Sequence, residues 1–364
     1  MTQPTLEDAR ELSEWRPELG VLSVYLGFDP ADRGGAWRTE LRNGLDAVLG
    51  AHEEAEHSRR LALRATAKRL AERFEDGELR PPPRGEVGFI EVAEKTGAER
   101  WFGVGVAPEA SACVEFGSEP VVAPMLALCA HNGARGVALL SSERVRLLRC
   151  AEGALDDLGD WELSITSLDW RERKSHSASD PARAQGVGAS GHDQYHERLE
   201  HNRQRFLSEC GGLAAGRLAS DGLEELIVFG PAKDLESFKS GFGASGGSLV
   251  LGGDAELIST PKDHLSELVA AAVSHHDEER DRAIVSRALG EVKGGSRGAL
   301  GLQETKAALA EGRVDHLIFD ARIGGEAEGL VRAALVSSAQ VTVVRDEVAT
   351  PLAEAEGVAA ILRY

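Results

Sequence analysis

The sequence predicts an α/β protein of three domains. Three observations predict it. The chain has 364 residues, more than one hydrophobic core usually serves. Short runs rich in β-branched and aromatic residues alternate with stretches whose apolar residues recur at helical spacing. One polar stretch without periodicity, RERKSHSASDPARAQGVGAS at 171–190, interrupts that alternation. The expected boundaries are 1–120 for an N-terminal α/β domain, 121–262 for a central domain with a mixed sheet, and 263–364 for a C-terminal α/β/α sandwich.

The elements follow in order. VLSVYLGF (21–28) is a strand by its β-branched and aromatic content. Trp37 to Leu49 and Arg59 to Phe74 carry helical periodicity. RPPPRG (80–85) breaks the pattern, and EVGFIEVA (86–93) and RWFGVGVA (100–107) read as strands. A short helix opens the central region at VVAPMLALCAHNGA, followed by a strand, turn and strand at 136–150. WELSITSLDW (161–170) is expected to be another strand. The polar stretch then feeds a helix whose buried face is expected to be Leu199, Phe206, Cys210 and Leu213. ELIVFG (225–230) and SLVLGG (248–253) are strands. A strand, helix, strand order after a hairpin implies a mixed sheet flanked by helices. The C-terminal region starts with a long helix, His264 to Leu289, and a hinge-like loop at 294–301. LQETKAALAEG is a helix closed by Gly312 in the C-cap position. VDHLIFD, QVTVVR and VAAILRY are strands around the helix EGLVRAALVSSA.

Composition excludes several functions. A net charge of −19 argues against general nucleic-acid binding. Charge acts locally, however, over about 8 Å at physiological salt. Residues 171–205 set seven cations against five carboxylates, a local balance of +2, with His176, His192, His196 and His201 besides. Such a run also fits a solvated helix face. No apolar run reaches the roughly 20 residues of a membrane span, and the N-terminus lacks an apolar signal region, so a cytoplasmic protein without membrane contact is expected. Cys113, Cys129, Cys150 and Cys210 form no CxxC and read as buried thiols.

The junction ASGHDQYHERLEHNRQRF (189–206) holds the chemical candidates. His192 and His196 stand at i,i+4 as in a zincin helix, but Asp193 replaces the required glutamate and no third ligand is evident. No metal or other cofactor is expected. GVGASG (186–191) could cradle a phosphate at a helix N-terminus, or simply feed an N-cap; it is neither a Walker A nor a dinucleotide fingerprint. FGPAKDLESF (229–238), with Lys233, reads as a plain strand-to-helix connection. No GxSxG elbow exists. What remains is Gly191-His-Asp-Gln194, a glycine and a glutamine at the end of a long loop with cations behind it.

SGHDQYHERLEHNRQRFL resembles the loop and helix of the archaeal/eukaryotic-type class one release factors and their Pelota relatives. The release factors carry Gly-Gly-Gln there. A divergent branch, the ribosome-quality-control peptidyl-tRNA hydrolases and their bacterial relatives, carries Gly-x-x-Gln, which Gly191 to Gln194 matches. WRERK, LIVFGPAKDL, GLQETKAALAEGRVDHLIFD and GVAAILRY are similar to the same branch in the same order. The resemblance spans about 121–364, and VLSVYLGF more loosely. It implies an RNase H-like central sheet with a catalytic loop, and a C-terminal sandwich resembling kink-turn-binding ribosomal proteins. The strict Gly-Gly-Gln is absent, as is a NIKS-type tetrapeptide, so stop-codon reading is not expected.

The implied activity is codon-independent hydrolysis of the peptidyl-tRNA ester on stalled ribosomes or large subunits, in the A site, by a monomer. Gln194 and Gly191 are then the catalytic positions. Arg198, Arg203, Arg205 and His201, with Arg173 and Lys174 before the loop, would contact RNA. The C-terminal domain would meet a translational GTPase. The alternative is a non-catalytic ribosome-binding hibernation factor resembling Balon, whose closing tail is similar.

Overall fold

The computed structural model describes residues 3–28, 35–75, 85–104, 112–151, 154–163, 190–243, 247–295 and 297–364. Contacts divide the chain into two compact units. One combines Met1–Gly133 with Asp277–Tyr364; the other is Ala134–His276.

The first unit begins with a helix the sequence reading did not anticipate, α1 (Leu6–Glu14). Thr5 caps it reciprocally: its hydroxyl accepts the Asp8 N–H at 3.1 Å, and its own N–H donates to the Asp8 carboxylate at 2.8 Å. Strands β1 (Val21–Gly27), β2 (Gly85–Glu91), β3 (Glu99–Val104) and β4 (Ala112–Gly117) form an antiparallel sheet in the order β3-β2-β1-β4. Every residue of β1 is buried because both faces of the sheet are covered. Leu22, Val24 and Leu26 pack against Trp37, Leu41 and Leu45 of α2 (Ala36–Ala51) and Leu63, Ala67 and Leu70 of α3 (His57–Glu75). Val21 and Tyr25 join a second core shared with α4 (Ala123–Asn132) and with the C-terminal part of the chain.

That C-terminal part is a four-stranded sheet, β10-β13-β11-β12, between two layers of helices. Its strands are β10 (Gly298–Leu300), β11 (Val314–Asp320), β12 (Gln340–Val344) and β13 (Val358–Leu362). The helix α8 (Gly301–Ala310) ends as the sequence suggests: Gly312 takes φ +68°, and the Arg313 N–H returns to the Ala308 carbonyl at 3.0 Å. Together with α9 (Gly324–Val336), α8 buries Ala308, Leu309, Ala327 and Val331 on one face of the sheet. On the other face, α10 (Asp346–Ala349) contributes Val348 and Ala349, beside Val285 and Ala288 of the long helix α7 (Lys262–Lys293). This is the expected α/β/α sandwich. The stretch expected to be only a hinge-like loop contains β10.

The second unit carries a five-stranded mixed sheet, β7-β6-β5-β8-β9. Strands β5 (Arg135–Leu140), β6 (Arg144–Ala151) and β7 (Ala154–Glu162) are antiparallel; β8 (Glu225–Phe229) and β9 (Ser248–Gly253) run parallel to β5. Numbered from β5, the order is 3-2-1-4-5, the RNase H-like arrangement. β5 lies centrally and is covered on both faces, hence its unbroken run of buried residues. Two helices make the crossovers, α5 (Ser190–Ser220) and α6 (Ala232–Phe242). β7 lies earlier than the expected strand at 161–170; residues 164–170 fall outside the described ones.

Candidate functional site

The candidate residues sit on or before α5, which spans 31 residues. It begins at Ser190, so Gly191 to Gln194 are helical backbone rather than the end of the preceding loop. An acidic residue at 193, in the first turn, suits the positive end of a helix dipole there.

The packed face of α5 is Leu207, Cys210, Ala214 and Leu218, each no more than 2% exposed. Their spacing of three, four and four residues makes one stripe. It lies against Leu140, Val145, Leu147 and Val228 of the sheet and Leu235, Phe238 and Phe242 of α6. The expected face differs by a rotation. Cys210 belongs to it, but Leu213 is 53% exposed, and Leu199 and Phe206 are only partly buried. Large side chains guided the expectation, whereas small ones decide the packing. Gly211 and Gly241 let the backbones of α5 and α6 come together.

At about 100° per residue, positions 194, 198, 201 and 205 fall within an arc of roughly 60°. This stripe is opposite the packed face. Arg198, His201 and Arg205 on it are exposed. Arg205 pairs with Glu209 one turn on, at 3.1 Å, and both side chains are largely in solvent, so the pair holds Arg205 weakly. Among the described residues, Arg198 and His201 have no ion-pair partner.

Arg203 is different. It falls about half a turn from position 194, on the packed side. Its side chain is 26% exposed, its Nε is buried without a hydrogen bond, and its Nη2 donates to Glu143 Oε1 at 2.5 Å. Glu143 lies in the turn between β5 and β6. That turn is braced: the Ser141 N–H meets the Arg144 carbonyl at 2.8 Å, and the Leu163 N–H meets the Glu143 carbonyl at 2.8 Å. Ser142 Oγ lies 3.3 Å from Asp234 Oδ2 of α6. Arg144 grips Asp160 of β7 through two hydrogen bonds of 2.9 and 2.6 Å, which hold the Asp160 carboxyl below the usual carboxylate range. Nothing in the string SSER marks Glu143 as a partner of α5; only the tertiary fold reveals it.

Arg173 and Lys174 lie outside the described residues. Among the described residues no cluster of three His, Cys, Asp or Glu could hold a metal ion, and no helix is long and apolar enough to cross a membrane.

Comparison with known proteins bears on the second unit. Residues 134–250 match the family described as bacterial archaeo-eukaryotic release factor family 5. No curated protein matches the chain. Among solved structures, the archaeal translation termination factor aRF1 aligns at 20% identity, covering 100% of this chain and 99% of that one, with a TM-score of 0.27. Pelota of Archaeoglobus fulgidus aligns at 14% identity, over 100% and 94%, with a TM-score of 0.36. Dom34 of S. cerevisiae aligns at 10% identity, over 77% and 79%, with a TM-score of 0.43. The matched residues run from the start of β5 into β9 and include all of α5 with Gly191 and Gln194. The likeness to the bacterial archaeo-eukaryotic release factors thus lies in the central domain, over residues 134–250.

Proposed function

We propose that the chain rescues stalled ribosomes or large subunits as a codon-independent peptidyl-tRNA hydrolase, acting as a monomer in the A site. The observation that carries this reading is the outward stripe on α5. It aligns position 194 with Arg198, His201 and Arg205, opposite the face that packs on the sheet, inside the segment matched to the release-factor family. A helix exposed in this way can lay cations along an RNA backbone while its first turn approaches an ester.

The chemistry asked of the chain is modest. Water attacks the ester carbonyl, an oxyanion forms, and the ribose oxygen leaves with a proton. A glutamine does not titrate near neutrality, so Gln194 acts by orienting water or the oxyanion, not as a base. Gly191 has no Cβ to block close approach of the backbone. Arg198, His201 and Arg205 contact phosphates, and so do Arg173 and Lys174; these contacts fix position rather than sequence. A translational GTPase would meet the C-terminal sandwich.

A second reading draws on one observation: Gly191 to Gln194 are helical, not an extended turn. A factor that only occupies the A site, as a Balon-like hibernation factor does, needs no more. One experiment separates the two. Ribosomes with labelled peptidyl-tRNA in the P site and an empty A site are mixed with the protein or with Gln194→Ala. Peptide release that requires Gln194 supports the hydrolase. Ribosome binding without release, indifferent to Gln194, supports the binding factor.

A further inference from the structure

We infer that Glu143 is a positioning residue for the site on α5, acting through Arg203; the inference rests on the reading just proposed. Glu143 meets the residue after β7 and the body of α5 at once. Its backbone carbonyl accepts the Leu163 N–H at 2.8 Å, and its carboxylate accepts Arg203 at 2.5 Å. The turn that carries it is tied to β7 through Arg144–Asp160 and approaches α6 through Ser142 and Asp234. The backbone at Glu143 is therefore fixed to the sheet, and its half-exposed carboxylate reaches Arg203 from that point.

The geometry of α5 makes this fixed point consequential. Between positions 197 and 205 every residue is exposed or only partly buried; full burial begins at Leu207. Among the described residues, the Arg203–Glu143 pair is the first side-chain link that α5 makes to the sheet. Nine residues separate positions 194 and 203, about 13 Å of helix at ~1.5 Å per residue. Among the described residues, the next support without the pair is Phe206 and Leu207, and the arm lengthens to roughly 18–20 Å. A tilt of about 4° at that fulcrum displaces position 194 by roughly 1 Å, a misplacement that can cost up to about 100-fold in rate. The outward cations move with the arm, but flexible side chains on a phosphate backbone tolerate such a shift. The effect belongs in turnover rather than in affinity.

The test uses the full-length chain with Glu143→Ala, Glu143→Gln, Arg203→Ala, and the exchange Glu143→Arg with Arg203→Glu. Two measurements are made on each: peptide release from P-site peptidyl-tRNA, resolved into turnover and half-saturation, and amide hydrogen exchange of the free protein. Each single variant should slow turnover roughly tenfold or more and leave half-saturation within about twofold. Amides of 197–205 should exchange roughly tenfold faster, with those of β5 and β8 unchanged. The charge exchange should recover most of both. Should Arg203→Ala fail to fold, Glu143→Gln, an isosteric change at a half-exposed side chain, gives the same two readings. Unchanged exchange at 197–205 in a folded variant overturns the anchor. Faster exchange with unchanged turnover overturns its role in positioning. If the unaltered protein releases no peptide, the hydrolase reading fails, and exchange alone still decides whether Glu143 holds the arm.

Discussion

Gly211 of α5 and Gly241 of α6 meet where the two helices cross: a Cβ added to Gly211 would fall 3.1 Å from the Gly241 carbonyl carbon and closer still to the Phe238 carbonyl oxygen. A Cβ on Gly241 would collide with the Ser208 backbone. Neither obstacle is a side chain that can turn away. Gly211→Ala and Gly241→Ala should each destabilise the second unit by about 2 kcal/mol. Gly216→Ala on the same helix meets nothing within 4 Å and should stabilise by roughly 0.5–1 kcal/mol through helix propensity. Chemical denaturation of the three variants checks this; equal effects at all three sites would refute the crossing as the cause.

Glu328 of α9 reaches across the first unit to the start of α4, where it accepts the Val122 and Ala123 N–H groups at 3.0 and 2.9 Å. Arg332, one turn on, donates to Glu328 at 3.0 Å and to the Pro120 carbonyl at 2.8 Å, and pairs with Glu119. Removing the carboxylate strands two amides and leaves the mostly buried Arg332 guanidinium with only Glu119 and the Pro120 carbonyl. Glu328→Ala should cost about 3 kcal/mol, and Glu328→Gln less. Signals from the N-terminal and C-terminal sheets should be lost together in urea. Separate transitions in the unaltered protein would contradict the shared core.

His316 of β11 is buried, with Nε2 2.7 Å from Thr342 Oγ1. Burial holds its pKa below the ordinary imidazole value; Asp315 raises it somewhat, and Arg287 adds to the lowering. The native state therefore stays neutral where the unfolded chain already binds a proton. The stabilising contribution is full above the unfolded pKa of about 6.5 and is lost as pH falls from there toward the lower native value. The slope from this group is at most about 1.4 kcal/mol per pH unit. Melting curves of the protein and of His316→Gln between pH 7.5 and about 5 should show a flatter dependence in the variant. Parallel curves would remove His316 from the acid sensitivity.

Burial pushes the thiols of Cys129 and Cys210 up to about 12, and raises those of Cys113 and Cys150 as well. The thiolate is the reactive form. At pH 8, native protein should therefore react slowly with a thiol reagent at all four positions and fully after denaturation. Rapid native labelling of any one, located by mass spectrometry, would show an accessible thiolate that this packing does not provide.

Much of the fold is legible in the sequence because its signals are local. The β-branched runs of β1 and β11, and the helix closed at Gly312, need no distant partner to declare themselves. Two elements escaped for opposite reasons. The cap of α1 is a Thr5–Asp8 box, with aspartate where glutamate is usual, and its helix buries only a narrow stripe. β7 is written ALDDLGDWE, with acidic residues at alternate and adjacent positions. Its strand character comes from pairing with the arginines of β6, which no periodicity encodes. At the site, the order of motifs points to α5, but its rotation does not follow from the sequence. That depends on glycines and alanines whose value appears only when α6 is placed beside them. Glu143 is wholly tertiary, sixty residues from Arg203.

The chain leaves its first unit at Gly133 and re-enters it at Asp277. The release-factor-like domain is thus an insertion in the polypeptide of the other unit. During synthesis the N-terminal sheet emerges first, yet the face with Val21 and Tyr25 waits for Ala327 and Val331, made some 300 residues later. The central domain, contiguous in sequence, can finish in the meantime. A nascent chain paused once the central domain has emerged therefore carries a complete middle and a beginning whose strand face, met so far only by α1 and α4, still lacks the C-terminal helices and is open to chaperones or to aggregation.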